Sequence, residues 1–373
     1  MRFSYEPEHE DLRESVRAFL ADVASEDAVR QDMETDRGWS PHAWSRLCGE
    51  LELPALAVPE AYGGADAGLV ELGVVLQEAG RSLLCAPLLS TTLATQALLL
   101  TSPGDEVAEL ATGRRTGTLA LREPGRGWDA VPYTRAAADS NGWRLTGTKN
   151  WVLDGHSADL FVASAITPAG TSLFLVESGG GGVKAEAVET VDPTRRVAQV
   201  TFDAAPATLL GLDGAAPIPS LLDTAVILLA AEQVGVAERC LDMAAEYARQ
   251  RTQFGRSIGS FQAVKHKLAD ALLEVEAARS AALYAAYAAD RSLDEERAEA
   301  AAIAGIICSE AALRAAGDNV QVHGGIGMTW EHPAHLFLKR ATVSRMLLRH
   351  PDDHVERLLE LAGLPAAAGE HRP

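Results

Sequence analysis

The strongest constraint on the fold is a change of texture along the chain. Between Thr116 and Leu212 the sequence breaks into short β-like runs, and on either side its apolar residues recur at helical spacing. The runs are Thr118–Leu121, Tyr133–Ala138, Trp143–Thr146, Leu160–Ala165, Ser172–Val176 and Ala198–Phe202, separated by turn residues. Asn141-Gly142 predicts a tight hairpin turn between the second and third. Gly179–Gly182 reads as a flexible loop tip rather than a phosphate cradle, because no Lys-Ser/Thr pair opening a helix follows it.

The flanks read as helices. Leu12, Val16, Phe19, Leu20 and Val23 form one stripe over Glu8–Val23, and Ser40-Pro41 is a capped helix start. Helical patterns return over Leu69–Ala79 and Thr91–Leu100, after a turn-rich break at Pro59–Gly64. Beyond Pro217 the chain is alanine-rich, with long helices expected from Pro219-Ser220 to about Arg249, from Phe261 to Asp290 and from Leu293 to Ala316. Shorter helices are expected after Pro333 and Asp352, and small alanines would let all of them pack closely as a bundle. At ~100–200 residues per domain, 373 residues that are 47% hydrophobic accommodate two or three cores. Three are expected: 1–113, a small β domain over 114–215, and a helical bundle over 216–373.

A formal charge of −19 argues against a nucleic-acid partner, since phosphate binding needs clustered Lys and Arg. Four scattered cysteines without CxxC spacing point to a reducing compartment, and the charged N-terminus reads as no signal peptide. The most apolar stretch, Ala225–Ala231, is too short for a bilayer, which takes ~20 apolar residues. The expectation is a cytoplasmic protein with no membrane partner. His332-Pro333-Ala334-His335 reads as a helix start and not as a metal site.

Two stretches are more specific. The first runs from Tyr247 through Arg251-Thr252-Gln253-Phe254-Gly255 to Phe261-Gln262; it ends one helix, turns at Gly255 and opens the next. A guanidinium, amides and an aromatic ring at such a corner could hold a diphosphate and stack on a purine. The second, Gln321-Val322-His323-Gly324-Gly325-Ile326-Gly327, is a glycine-rich turn where backbone can approach a ligand closely. With Pro59-Glu60-Ala61-Tyr62-Gly63-Gly64 and Gly147-Thr148-Lys149-Asn150-Trp151, these stretches resemble the acyl-CoA dehydrogenase family over essentially the whole chain.

The resemblance implies an N-terminal helical domain, a middle β-barrel or sandwich and a C-terminal four-helix bundle. It implies FAD, an acyl-CoA substrate and electron transfer to an electron-transferring flavoprotein. Arg251, Thr252, Gln253, Phe254 and Gln262, with Gln321, Val322, Gly324 and Gly325, would contact the diphosphate and adenine end of a neighbouring subunit's FAD, while Trp151 would face a flavin. The family's reaction needs a carboxylate over the substrate α-carbon. Counted from the motifs, the usual base position is Leu348 and the minority position is Ala225, both apolar. Arg122 and Leu153 replace the usual Thr or Ser beside the flavin, and Trp128 stands where a serine is usual near the thioester.

Groups of the chain's own pocket are thus changed, whereas those lent to a neighbour are kept. The expectation is a non-catalytic subunit paired with a base-bearing paralogue as α2β2, by analogy with actinobacterial dehydrogenases of steroid side chains. The length covers the whole family architecture, so a missing domain would not explain the absent base. The alternatives are a self-sufficient homotetramer with a relocated base, for which Glu232 is the candidate, a flavin monooxygenase of the same fold, and a structural paralogue without flavin.

Overall fold

A computed structural model describes residues 4–140, 142–291 and 294–364. Its helices are α1 (Pro7–Val23), α2 (Glu26–Asp32), α3 (Pro41–Glu50), α4 (Leu69–Ser82), α5 (Leu88–Thr101) and α6 (Asp105–Ala111). Strands β1 (Gly117–Ala120), β2 (Arg135–Asp139), β3 (Gly142–Leu153), β4 (Leu160–Thr167), β5 (Gly170–Glu177), β6 (Val183–Val188) and β7 (Val197–Leu210) follow. Then come α7 (Ile218–Gln250), the short strands β8 (Thr252–Gln253) and β9 (Arg256–Ser257), α8 (Gln262–Asp290), α9 (Asp294–His323), α10 (Ala334–Ser344) and α11 (Pro351–Leu361). The chain divides into two compact units, one of Met1–Glu26, Gly73–Leu84 and Asp223–Pro373, the other of Asp27–Leu72 and Cys85–Leu222.

The second unit holds the β domain. β4 pairs with β5, β5 with β7, β7 with β3 and β3 with β2, and β2 returns to β4 through Arg135 and Ile166, so the ring of strands closes. Closure removes sheet edges; β1 then adds to β4 and β6 to β7. Leu145, Phe161, Phe174, Val200 and Phe202 fill the interior. The hairpin of β2 and β3 forms with Asp139 opposite Gly142, while Asn141 lies outside the described residues. β6, unanticipated, leaves the Gly179–Gly182 tip; its mostly exposed side chains give it no buried face to betray it. Helix α3 begins at the expected Ser40 cap, whose hydroxyl accepts from Ala43 N at 3.2 Å.

In the other unit α8 and α9 pack along each other, and α10 and α11 pack on α9. Helices α4 and α7 touch backbone to backbone: a Cβ on Gly235 would stand 1.8 Å from the Gln77 carbonyl oxygen. Helix α7 contains an 18-residue window of mean hydropathy 1.5, longer than the stretch evident in the sequence. That window is 89% buried within the protein, as befits a core helix, and a second in α9 is 61% buried. Helix α9 runs on to His323 rather than ending near Ala316, and Leu293 lies outside the described residues.

Candidate functional site

The two sequence stretches meet in one place. After α7, Arg251 N donates to Tyr247 O at 2.8 Å and Ile258 N returns to Arg251 O at 2.8 Å, closing a small hairpin. Its tip is Phe254-Gly255, with φ of +52° and +77°, the left-handed pair that a two-residue hairpin turn requires. Phe254 is 91% exposed, with Phe261 edge-on at 6.2 Å and the Arg256 guanidinium 4.1 Å over the Phe261 ring. Arg251, Thr252, Gln253 and Gln262 are exposed, and Gln262 is the first residue of α8. No acidic residue occupies the first turn of α8, whose free N–H groups and dipole favour an anion.

The glycine-rich turn joins this corner through aromatic stacking. The His323 ring lies 4.3 Å from Tyr247 and 4.0 Å from His332, while its Nδ1 is 2.8 Å from Asn319 O. Val322 packs with Ala244, Ala248, Tyr247, Ile258, Val264 and Leu268, leaving Gln321, Gly324 and Gly325 exposed beside it. Burial lowers the His323 pKa, and burial with the neighbouring His323 pushes His332 down to about 4, so the stack is neutral at pH 7. His332 Nδ1 accepts from Ala334 N at 3.2 Å, close to the start of α10. No local pattern marks this stack, because Tyr247, His323 and His332 become neighbours only in the folded chain.

The turn between β1 and β2 is pinned from inside the β domain. The fully buried Lys149 donates to Glu123 Oε1 at 2.7 Å, Leu121 O at 3.2 Å and Ser164 Oγ at 3.0 Å. Glu123 also accepts from Tyr133 N at 2.6 Å and Thr134 N at 2.8 Å. Burial pushes Lys149 down to about 8 against the pull of Glu123. Burial works against the Glu123 carboxylate, yet Lys149 and Thr134 hold its pKa below the usual range. On this turn Arg122 Nε donates to Arg126 O at 3.2 Å, and Arg122 Cζ lies 5.8 Å from the Trp128 ring and 5.4 Å from the Trp151 ring. Trp151 sits on a β-bulge of β3 with φ of +55°. Trp128 and Leu153 are buried.

Neither base position offers a proton acceptor. Ala225 is fully buried on α7, and Leu348 is buried with φ of +65° between α10 and α11. Glu232 is itself buried and paired with the buried Arg340 at 3.3 Å. Asp223, unremarked in the sequence, is buried one residue from the chain neighbour of Ala225 and pairs with Arg349 at 3.3 Å. Burial raises its pKa despite Arg349. Both of these buried acids on α7 are therefore engaged by guanidinium groups.

The chain matches the family models for the acyl-CoA dehydrogenase N-terminal domain over residues 6–106, middle domain over 118–205 and C-terminal domain over 213–348. It is 39% identical over 353 residues to the acyl-CoA dehydrogenase IpdE2 of Mycobacterium tuberculosis, covering 94% of this chain and 96% of that protein. Among solved structures, it is similar to the Tcur3481-Tcur3483 steroid ACAD G363A variant, with a TM-score of 0.89, 34% identity and coverage of 95% and 98% of the two chains. The ChsE4-ChsE5 complex from Mycobacterium tuberculosis gives a TM-score of 0.88 at 32% identity, covering 98% of this chain and 100% of that one. With helices before and after a central β domain, and family matches across all three segments, the chain belongs to the acyl-CoA dehydrogenase family of oxidoreductases.

Proposed function

We propose that this chain is the non-catalytic subunit of a heteromeric, FAD-dependent acyl-CoA dehydrogenase in which a base-bearing paralogue carries the reaction. The observation that carries this reading is that neither base position holds a carboxylate: Ala225 and Leu348 are buried and apolar, and the two buried acids of α7 beside Ala225, Asp223 and Glu232, are tied to Arg349 and Arg340. Abstraction of an α-proton needs a base within hydrogen-bond reach of it. The self-sufficient homotetramer would rely on Glu232, which is spent on a buried ion pair.

The residues present fit one half of FAD. Arg251, Gln253, Gln262 and the N-terminus of α8 form a donor set with no carboxylate among them, suited to a diphosphate. Phe254 offers an uncovered ring face for a purine, and Gln321, Gly324 and Gly325 present polar and backbone groups beside it. The ring-side half does not fit, since Leu153 and the buried Trp128 carry no hydroxyl where the flavin edge needs donors. Bound FAD supplies the hydride acceptor; this chain's part is to hold the diphosphate and adenine end for the partner's site. Assembly as α2β2, an electron-transferring flavoprotein as acceptor and a cytoplasmic setting complete the proposal.

The similarity to the Tcur3481-Tcur3483 steroid ACAD and to the ChsE4-ChsE5 complex supports a paralogous partner and a CoA thioester of a steroid side chain. Co-expression with an acyl-CoA dehydrogenase paralogue from its gene neighbourhood should give a yellow heteromer with one FAD per heterodimer and dehydrogenase activity on such thioesters. The chain alone should hold little FAD and show no turnover. Full flavin loading with turnover by the isolated chain would refute the reading.

A further inference from the structure

The mismatch at the ring side is more than a loss of donors. We infer that Arg122 acts as a tethered plug, its guanidinium held over the Trp128 and Trp151 rings in the place where this chain's own site would otherwise take an isoalloxazine. The inference rests on the reading above and adds the device that keeps the second site closed.

A guanidinium is flat and weakly hydrated, so it lies well on an indole face. Here one group serves two indoles, at 5.8 Å from Trp128 and 5.4 Å from Trp151. Its Nε donation to Arg126 O at 3.2 Å ties it to its own turn. That turn is anchored in turn: Asn150 N donates to Arg122 O at 2.9 Å, and Lys149 grips Glu123 and Leu121 O on either side of Arg122. Trp128 is buried, so its ring is fixed by packing, and the bulge at Trp151 sets the second ring. A side chain in this frame closes on the rings without the entropy that a free ligand gives up on binding. An incoming planar ring must displace it and leave the guanidinium without its aromatic faces.

The Glu123–Lys149 anchor would remain if the plug were removed, because it involves only the backbone of Leu121 and not the side chain of Arg122. The test is therefore a gain of binding. In the purified heteromer, R122T combined with W128S should raise FAD content from one towards two per heterodimer, read from flavin absorbance after denaturation. With the isolated chain, the same variant should quench lumiflavin fluorescence at concentrations at least tenfold below any effect of the wild type. Should the double variant fail to fold, the single R122Q must bind lumiflavin more tightly than wild type. Variants that fold and assemble but gain no flavin would overturn the plug and leave the proposed role standing. A wild-type heteromer with two flavins per heterodimer would instead overturn that role.

Discussion

Arg251 shows how little a residue's value here depends on stability. It stands at the end of α7 with an exposed side chain, so its loss should barely affect folding. Its backbone closes the hairpin to Tyr247 and Ile258, which fixes where the guanidinium begins. Arg251→Ala should therefore leave the thermal midpoint of the heteromer within about 1–2 °C of wild type. FAD should nevertheless dissociate roughly tenfold faster, as expected for a lost charge-assisted bond; flavin release under dilution measures this. The buried carboxylates are the opposite case. Glu232 and Asp223 contribute through Arg340 and Arg349, and removing either partner would take away a buried charge's close counterion.

At the scale of elements, the turn from β1 to β2 depends on one lysine. Lys149→Met would leave Glu123 buried without its cation, at a cost of about 3–5 kcal/mol. Lys149→Met with Glu123→Gln should recover part of that loss; urea midpoints of the two variants test it. Helix α11 carries a pH dependence. His354 is buried and seated on Gly305 of α9, where a Cβ would stand 2.5 Å from its Nε2. Burial, with Arg349 and His350 nearby, pushes it from 6.5 to about 4. Between these values the unfolded chain binds the proton and the folded one refuses it, so stability is present above 6.5 and lost as pH falls towards 4. From pH 7 to pH 5 the His354 contribution should drop by about 1–2 kcal/mol, and His354→Leu should flatten that part of the urea-midpoint profile.

For the whole molecule, the order helices, β domain, helices was legible because its periods change from 3.6 to 2 and back along the sequence. The long helices carried their own stripes, and Ser40 announced its cap. Helix α2 escaped notice because it buries only Val29, and β6 because it lies mostly exposed. The corner proposed to hold FAD could be found as a string of residues with chemistry suited to a diphosphate. Its weld to the glycine-rich turn could not, since Tyr247 meets His323 only after α8 and α9 have packed. Arg349 and Asp223 are 126 residues apart, and no local pattern marks two such residues as partners. The clamp of Arg122 on two tryptophans was likewise hidden, although Arg122 and Trp128 were already conspicuous as departures and Trp151 as part of a matching motif.

The exposed ring of Phe254 also bears on how the protein must be made. Its backbone is held in a left-handed turn that keeps the side chain out in water, and Met328 and Trp330 on the same unit are more than half exposed. Apolar surface of this kind is tolerable when a partner covers it and sticky when none does. Under the proposed pairing, a cell translating this chain in excess would accumulate a self-associating orphan. Matched synthesis of the two proposed partners would then serve solubility as much as catalysis.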